Sequence, residues 1–101
     1  MSAASEIRAW AAKTQSIYFF LPDGAYGRPL DNSFYIKDIA EQGGAMTISL
    51  SDGITMTFTG PVRVTYDGDA LLLDGFERLV FNDGGPPRSY ANGQVRITGF
   101  F

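Results

Sequence analysis

The chain contains no cysteine and no histidine among its 101 residues. The absence of cysteine excludes disulfides, thiolate metal sites and a Cys nucleophile. The absence of histidine removes the commonest general base and the commonest transition-metal ligand. We therefore predict no catalytic residue, no metal site and no cofactor, and we lean towards a protein that is not an enzyme.

Basic residues are also few, with eight Lys and Arg against eleven Asp and Glu and a formal net charge of −3. They are scattered singly, so the basic stripe of a nucleic-acid-binding protein and the basic patch of a lipid-binding one are both missing. No apolar run approaches the roughly 20 residues of a membrane span. Glu6, Arg8 and Lys13 interrupt any signal-peptide core. We expect no nucleic-acid partner, no membrane association and, by default, a cytoplasmic location.

The stretch from Ala45 to Gly60, AMTISLSDGITMTFTG, is the clearest structural signal in the chain. Apolar and hydroxyl side chains alternate on both sides of Asp52-Gly53, a pair that accepts the positive φ values of a tight turn. The pattern predicts a β-hairpin with one apolar face that another layer must cover. The apolar positions are Met46, Ile48, Leu50, Ile54, Met56 and Phe58.

One helix is predicted, over residues 2–15, with Ser2 or Ser5 as its N-cap and Glu6 in its first turn. Ile7 and Trp10 belong to an apolar stripe at helical spacing. Trp10 is interpreted as a residue that covers the open side of a sheet. The alternative is a loosely tethered helix that uses Trp10 to grip a partner or a second copy.

Short alternating runs bounded by Gly-containing turns continue to the end of the sequence. After Phe34 and Ile36, Ile39 falls out of phase, which indicates a bulge or a bend. We predict a mainly β, α+β domain covering residues 1–101. In it, the helix packs on a strongly bent antiparallel meander, or on a small, partly open β-barrel, of about six to seven strands in residues 17–101.

The segment Leu21 to Asn32, LPDGAYGRPLDN, is the most distinctive motif. With TFTGPVRV and LLLDGFERLVF further on, it resembles a family of small, uncharacterised bacterial proteins. These share a pattern close to L-P-D-G-x-[aromatic]-G-R-P-x-D-N, followed by a β-rich body. The resemblance covers most of residues 21–81 and implies no activity. The pattern is carried here by Leu21, Pro22, Asp23, Gly24, Tyr26, Gly27, Arg28, Pro29, Asp31 and Asn32.

This segment also supplies the candidate site for a ligand or a partner, with Tyr26, Arg28, Asp31 and Asn32 as its residues. Arg28 can hold a carboxylate or phosphate in a bidentate grip. The structural alternative is a clasp in which the aspartates form turns and Arg28 bonds Asp31 or backbone carbonyls.

Two further clusters are weaker candidates. Asp67, Asp69 and Asp74 lack the spacing of a calcium-binding loop and are interpreted as turn residues. The loop of residues 82–93, NDGGPPRSYANG, lacks the Lys-Ser/Thr pair of a phosphate-binding loop and leads into no helix. Its Arg88 and Tyr90 remain candidates for an interaction surface.

Function is not determined by these patterns, and three hypotheses stay open. The first is a non-catalytic binding or interaction domain with an unknown partner. The second is self-assembly, with a homodimer formed through the hydroxyl face of the hairpin or through Phe100-Phe101, because an exposed strand edge must be covered or paired. The third is a small enzyme or small-molecule carrier using Asp23, Arg28 and Asp31.

Overall fold

The computed structural model describes residues 2–26 and 34–101, and these form one α-helix and ten β-strands. The elements are α1 Ala3–Ala11, β1 Ser16–Leu21, β2 Gly24–Ala25, β3 Ile36–Gln42, β4 Ala45–Leu50, β5 Thr55–Thr59, β6 Arg63–Asp67, β7 Ala70–Asp74, β8 Arg78–Asn82, β9 Arg88–Tyr90 and β10 Val95–Phe100. A short 3-10 turn at Ser51–Gly53 joins β4 to β5.

The predicted hairpin forms from β4 and β5. Asp52 has φ 64° and Gly53 has φ 73°, so both turn residues adopt the left-handed conformation expected of Asp-Gly. All six apolar positions of the hairpin are buried. On its other face, the hydroxyls of Thr47 and Thr57 lie 3.1 Å apart across the two strands.

The strands form two antiparallel sheets of five strands each. The terminal sheet has the order β2-β1-β10-β7-β6, and the central sheet has the order β3-β4-β5-β8-β9. The mainly β prediction with an antiparallel meander is therefore confirmed, while the predicted number of strands was too low. β2 and β9 pair with the strands directly before them, β1 and β8, but they are only two and three residues long and lie in segments rich in Gly and Pro, so no alternation marks them.

Both ends of β1 contact segments that flank the central sheet. Near one end of β1, Ile17 forms an isolated bridge with Phe34, just before β3. At the other end, Pro22 packs against Gly93, just beyond β9. β3 and β9 are the opposite edges of the central sheet. β1 therefore contacts the central sheet region near both of its edges.

Both sheets contribute to one cluster of buried hydrophobic side chains. Phe19 from the terminal sheet lies 6.0 Å, centroid to centroid, from Phe81 of the central sheet. The irregularity predicted before Ile39 is a β-bulge: Ile36 pairs with Leu50, but Asp38 pairs with Ser49, so Lys37 is an extra residue.

The helix is shorter than predicted and ends at Ala11. Ser2 caps it by accepting a hydrogen bond from the Ser5 amide at 3.2 Å. At the other end, the Thr14 hydroxyl donates to the Ala11 carbonyl at 2.8 Å, and Ser16 then pairs with Phe100. Strand pairing thus replaces helix beyond Thr14.

Trp10 covers one side of the terminal sheet, as predicted. It is 8% exposed, and its ring approaches Gly99 of β10 and lies edge-on to Phe101. The helix also contacts β3 and β6, which are edge strands of the two sheets. Within residues 2–26 and 34–101, no helix has the length and hydrophobicity required to cross a membrane.

Candidate functional site

Two loops that are distant in sequence meet at one corner of the molecule. Pro22 to Tyr26 follows β1, and residues 82–93 connect β8 to β10 through β9. Gly93 lies so close to Pro22 that a Cβ atom on Gly93 would stand 2.8 Å from the Pro22 Cβ. The packing of β1 against the central sheet brings the motif segment against this second loop.

Tyr26 joins the first loop to the core and to the second loop. Its ring stacks on Phe19 at a centroid distance of 5.0 Å and also contacts Phe34 and Phe81. Its hydroxyl donates a hydrogen bond to Asp83 Oδ2 at 3.0 Å. The ring therefore anchors the residue, and the hydroxyl bonds to the neighbouring loop.

Asp83 is held by the backbone as well as by Tyr26. The Gly85 amide donates to Asp83 Oδ1 at 3.1 Å, which is the geometry of an Asx turn. This amide and, after it, the Tyr26 hydroxyl lower the pKa of the Asp83 carboxyl because both stabilise the ionised form.

In a second tyrosine–aspartate pair, the phenol comes from the second loop and the carboxylate from the first. Tyr90 from β9 donates its hydroxyl hydrogen to Asp23 Oδ1 at 3.1 Å. Each loop thus supplies one phenol and one carboxylate, and each phenol bonds to the carboxylate of the other loop. The two hydrogen bonds join residues that are 57 and 67 positions apart in the sequence, and together they fix the two loops relative to each other.

Arg88 lies between the two pairs. Its guanidinium carbon is 5.7 Å from the centroid of the Phe81 ring, within the range of a cation–π contact. Its pKa is raised, first by hydrogen bonding with Tyr90 and then by the negative charges of Asp83 and Asp23. We call Asp23, Tyr26, Asp83, Arg88 and Tyr90 the two-loop surface.

The two phenols of this surface are harder to ionise than a free tyrosine. Burial is the main cause of the raised pKa of Tyr26, and the hydrogen bond to Asp83 adds to it. Burial likewise raises the pKa of Tyr90, and the hydrogen bond to Asp23 comes next. Both phenols therefore remain hydrogen-bond donors at neutral pH.

Of the predicted site residues, Tyr26 belongs to the two-loop surface. Arg28, Asp31 and Asn32 lie outside the described residues, so the choice between a clasp and a binding site stays a prediction for them. Arg88 and Tyr90, considered at the sequence level for an interaction surface, stand beside Tyr26. Asp83 was missed because it looks like any turn aspartate until the fold brings it to Tyr26.

The two-loop surface offers hydrogen-bonding and charged groups in the form of two phenols, two carboxylates and one guanidinium. Each of its carboxylates already accepts a phenol hydrogen bond, and no Ser, Thr or Lys belongs to it. Among the described residues, no group of three or more Asp and Glu is arranged to hold a metal ion. Tyrosine and arginine, together with tryptophan, are the side chains most enriched among the residues that dominate binding energy at protein interfaces.

The acidic residues of the β6–β7 region serve another purpose. Arg63 Nε bonds to Asp74 Oδ1 at 2.7 Å, and Arg96 bonds to Asp67 Oδ2 at 2.9 Å. These pairs use carboxylates that a calcium site would need.

Comparison of the chain with protein-family models, with curated proteins and with solved structures finds no match.

Proposed function

We propose that this protein is a small, non-catalytic domain that binds a protein partner through the two-loop surface. One observation carries the proposal: two reciprocal tyrosine–aspartate hydrogen bonds fix two loops against each other beside Arg88, an exposed arginine that lies over the Phe81 ring. Such preorganisation reduces the entropy that ordering an interface would otherwise cost.

The partner's chemistry follows from the charges on this surface. The five residues of the two-loop surface include two carboxylates and one guanidinium, and the whole chain has a net charge of −3. Asp23 retains acceptor capacity at Oδ2 beyond its bond to Tyr90, because an ionised carboxylate accepts on both oxygens. We therefore expect the partner to present an exposed segment of mixed charge, with a basic side chain that bonds to Asp23 and an acidic side chain that bonds to Arg88.

A protein partner in the cytoplasm suits the rest of the molecule better than a nucleic acid. Two of the eight basic residues, Arg63 and Arg96, are paired with aspartates. Nucleic-acid binding depends on groups of cations free to neutralise phosphates. The motif that resembles the bacterial family supplies Asp23 and Tyr26, so we extend the proposal to proteins with that motif.

Selection from a displayed library of random peptides tests the proposal. We expect peptides that combine Lys or Arg with Asp or Glu to be enriched on the wild-type protein. Arg88→Ala should weaken their binding about tenfold, the effect of losing one interface residue of moderate importance. Arg78→Ala is the matched control because Arg78 is also an exposed arginine of the central sheet but lies outside the two-loop surface. Its affinity should stay at the wild-type value.

Titration calorimetry with the selected peptides measures both affinities. If no enriched peptide distinguishes Arg88→Ala from Arg78→Ala, the two-loop surface is not the binding site and the proposal fails.

A further inference from the structure

A second site, separate from the two-loop surface, lies in a cleft between α1 and β3. The cleft has a volume of about 240 Å³. It is lined by Arg8, Ala11, Ala12, Ile36, Lys37, Asp38 and Ile39. Its floor is aliphatic, and two cationic side chains border it.

Arg8 is held in place by the backbone of β3. Its Nη2 donates a hydrogen bond to the Ile39 carbonyl. β3 is an edge strand, so this bond satisfies an acceptor that pairs with no neighbouring strand on that side. The remaining N–H groups of the guanidinium are left for another acceptor, since the guanidinium carries several donors in a planar fork.

Lys37 borders the cleft because of the β-bulge in β3. It is the extra residue between Ile36 and Asp38, which pair with consecutive residues of β4. Bulges redirect side chains and occur often beside binding sites. Here the bulge adds an ammonium group to the cleft that already contains Arg8.

Neither cation has a carboxylate partner among the described residues. The ion pairs within 4.0 Å there are Arg63–Asp74 and Arg96–Asp67. Asp38 lines the same cleft but lies farther than that from both cations. Among the described residues, Arg8 and Lys37 therefore border a partly apolar cleft without an ion-pair partner, and the Asp38 side chain borders the same cleft.

We propose that this cleft binds a small organic carboxylate. Arg8 would hold the carboxylate in its planar fork, Lys37 would add a second charge-assisted hydrogen bond, and Ile36 and Ile39 would contact the apolar part of the ligand. The cleft volume of about 240 Å³ accommodates an acid the size of benzoate. The affinity expected of so small a ligand is a Kd on the order of 1 mM.

The test is a titration of the full chain with sodium benzoate, followed through the backbone amide resonances. Saturable shifts should centre on residues 36–39 and on Arg8. Benzamide has the same shape without the charge and should give no saturable shift there. Inorganic phosphate, which has charge without an apolar part, should bind at least about tenfold more weakly. Equal binding of benzamide or of phosphate would overturn the assignment to organic carboxylates, and so would the absence of localised shifts with benzoate.

Matched variants identify the side chains that contribute to benzoate binding. Lys37→Gln should weaken benzoate binding about tenfold, because a charge-assisted hydrogen bond is lost. Lys13→Gln removes the same charge from the turn that follows α1, at a position outside the cleft, and should leave the affinity unchanged. Arg8→Lys keeps the charge but not the fork and should also weaken binding about tenfold, and the dispersion of its amide spectrum verifies that it folds. Equal effects of Lys37→Gln and Lys13→Gln would mean that only net charge is sensed, and the proposal would be wrong.

Discussion

Tyr26 is a residue in which packing and hydrogen bonding depend on different atoms. Its ring stacks on Phe19, whereas its hydroxyl bonds to Asp83 of the other loop. Replacing it with alanine would remove both contributions at once, but replacing it with phenylalanine removes the hydrogen bond alone. Tyr90 offers the same separation at its bond to Asp23.

The tyrosine–aspartate pairs should make stability depend on pH in the alkaline range. Burial raises the pKa of Tyr26 and of Tyr90 in the folded protein, so folding favours the protonated phenols. This contribution is complete below about pH 10, where an unfolded tyrosine ionises, and is lost as the pH rises through the folded values. An ionised phenol would also repel the carboxylate that it now bonds.

Urea unfolding measured between neutral pH and pH 11 checks this expectation. The wild-type free energy of unfolding should fall above about pH 10, and the double variant Tyr26→Phe, Tyr90→Phe should show a smaller fall. Tyr35→Phe serves as the control because Tyr35 is 53% exposed and should retain the wild-type profile. The same decline in the double variant as in the wild type would contradict the assigned role of the two phenols.

At the scale of elements, the contact between α1 and β10 depends on the small size of Gly99. A Cβ atom there would stand 2.8 Å from Thr14 Cγ2 and 2.9 Å from Trp10 Cζ2. Both neighbours belong to the segment that packs against the sheet, so they have little freedom to move away.

Gly99→Ala is therefore expected to lower the free energy of unfolding by about 1–3 kcal/mol, the usual effect of overpacking a core. Gly85→Ala is the control, because Gly85 also lacks a positive φ and its new Cβ would meet only Asp83 Oδ1, at 3.4 Å. Denaturant titration followed by Trp10 fluorescence measures both variants. Equal unfolding midpoints for the two variants would show that α1 shifts to accommodate the methyl group.

The elements that could be predicted were those that local chemistry specifies. Alternation and the Asp-Gly pair predicted the β4–β5 hairpin and its buried face, and the phase slip before Ile39 predicted the bulge. The short strands β2 and β9 could not be predicted, because two or three residues rich in turn formers carry no periodicity. Each pairs with the strand directly before it, β1 or β8, so its short length is what kept it from being predicted.

The candidate site also has one part that the local sequence predicts and another part that it does not. Tyr26 was predicted as a site residue because it lies in a distinctive motif. Its hydrogen-bond partner Asp83 lies 57 positions further along the sequence. Tyr90 lies 67 positions from its own partner, Asp23. Contacts at such separations are set by the packing of the sheets, and no spacing in the sequence records them.

At the scale of the whole molecule, both sheets and the helix share one hydrophobic cluster. Phe19 illustrates this, since it lies on β1 and contacts Tyr26, Phe34 and Phe81. Removing one sheet would expose the inner face of the other, so neither sheet has a core of its own.

We therefore expect a single cooperative unfolding transition. Trp10 fluorescence reports the helix–sheet contact, and far-ultraviolet circular dichroism reports the strands. The two urea-unfolding curves should coincide in the wild type and, at a lower midpoint, in Phe19→Ala, which should lose about 3–5 kcal/mol. Tyr66→Ala, at an exposed position of β6, should shift the midpoint far less. Separate transitions for the two probes would show that the chain contains more than one cooperative unit.

The pairing of β1 with β10 has a consequence for the order of folding. Phe19 pairs with Ile97, whereas β3, β4 and β5 pair with their sequence neighbours. Long-range pairing is slow because the intervening chain must lose entropy before the contacts form. On a ribosome, β1 emerges early but has to wait for β10, while the hairpins of the central sheet can already close. We therefore expect the central sheet to form first and the terminal sheet to pack on it. The edge of the aromatic strand β1 that later pairs with β10 is then the surface that stays exposed longest in a nascent chain.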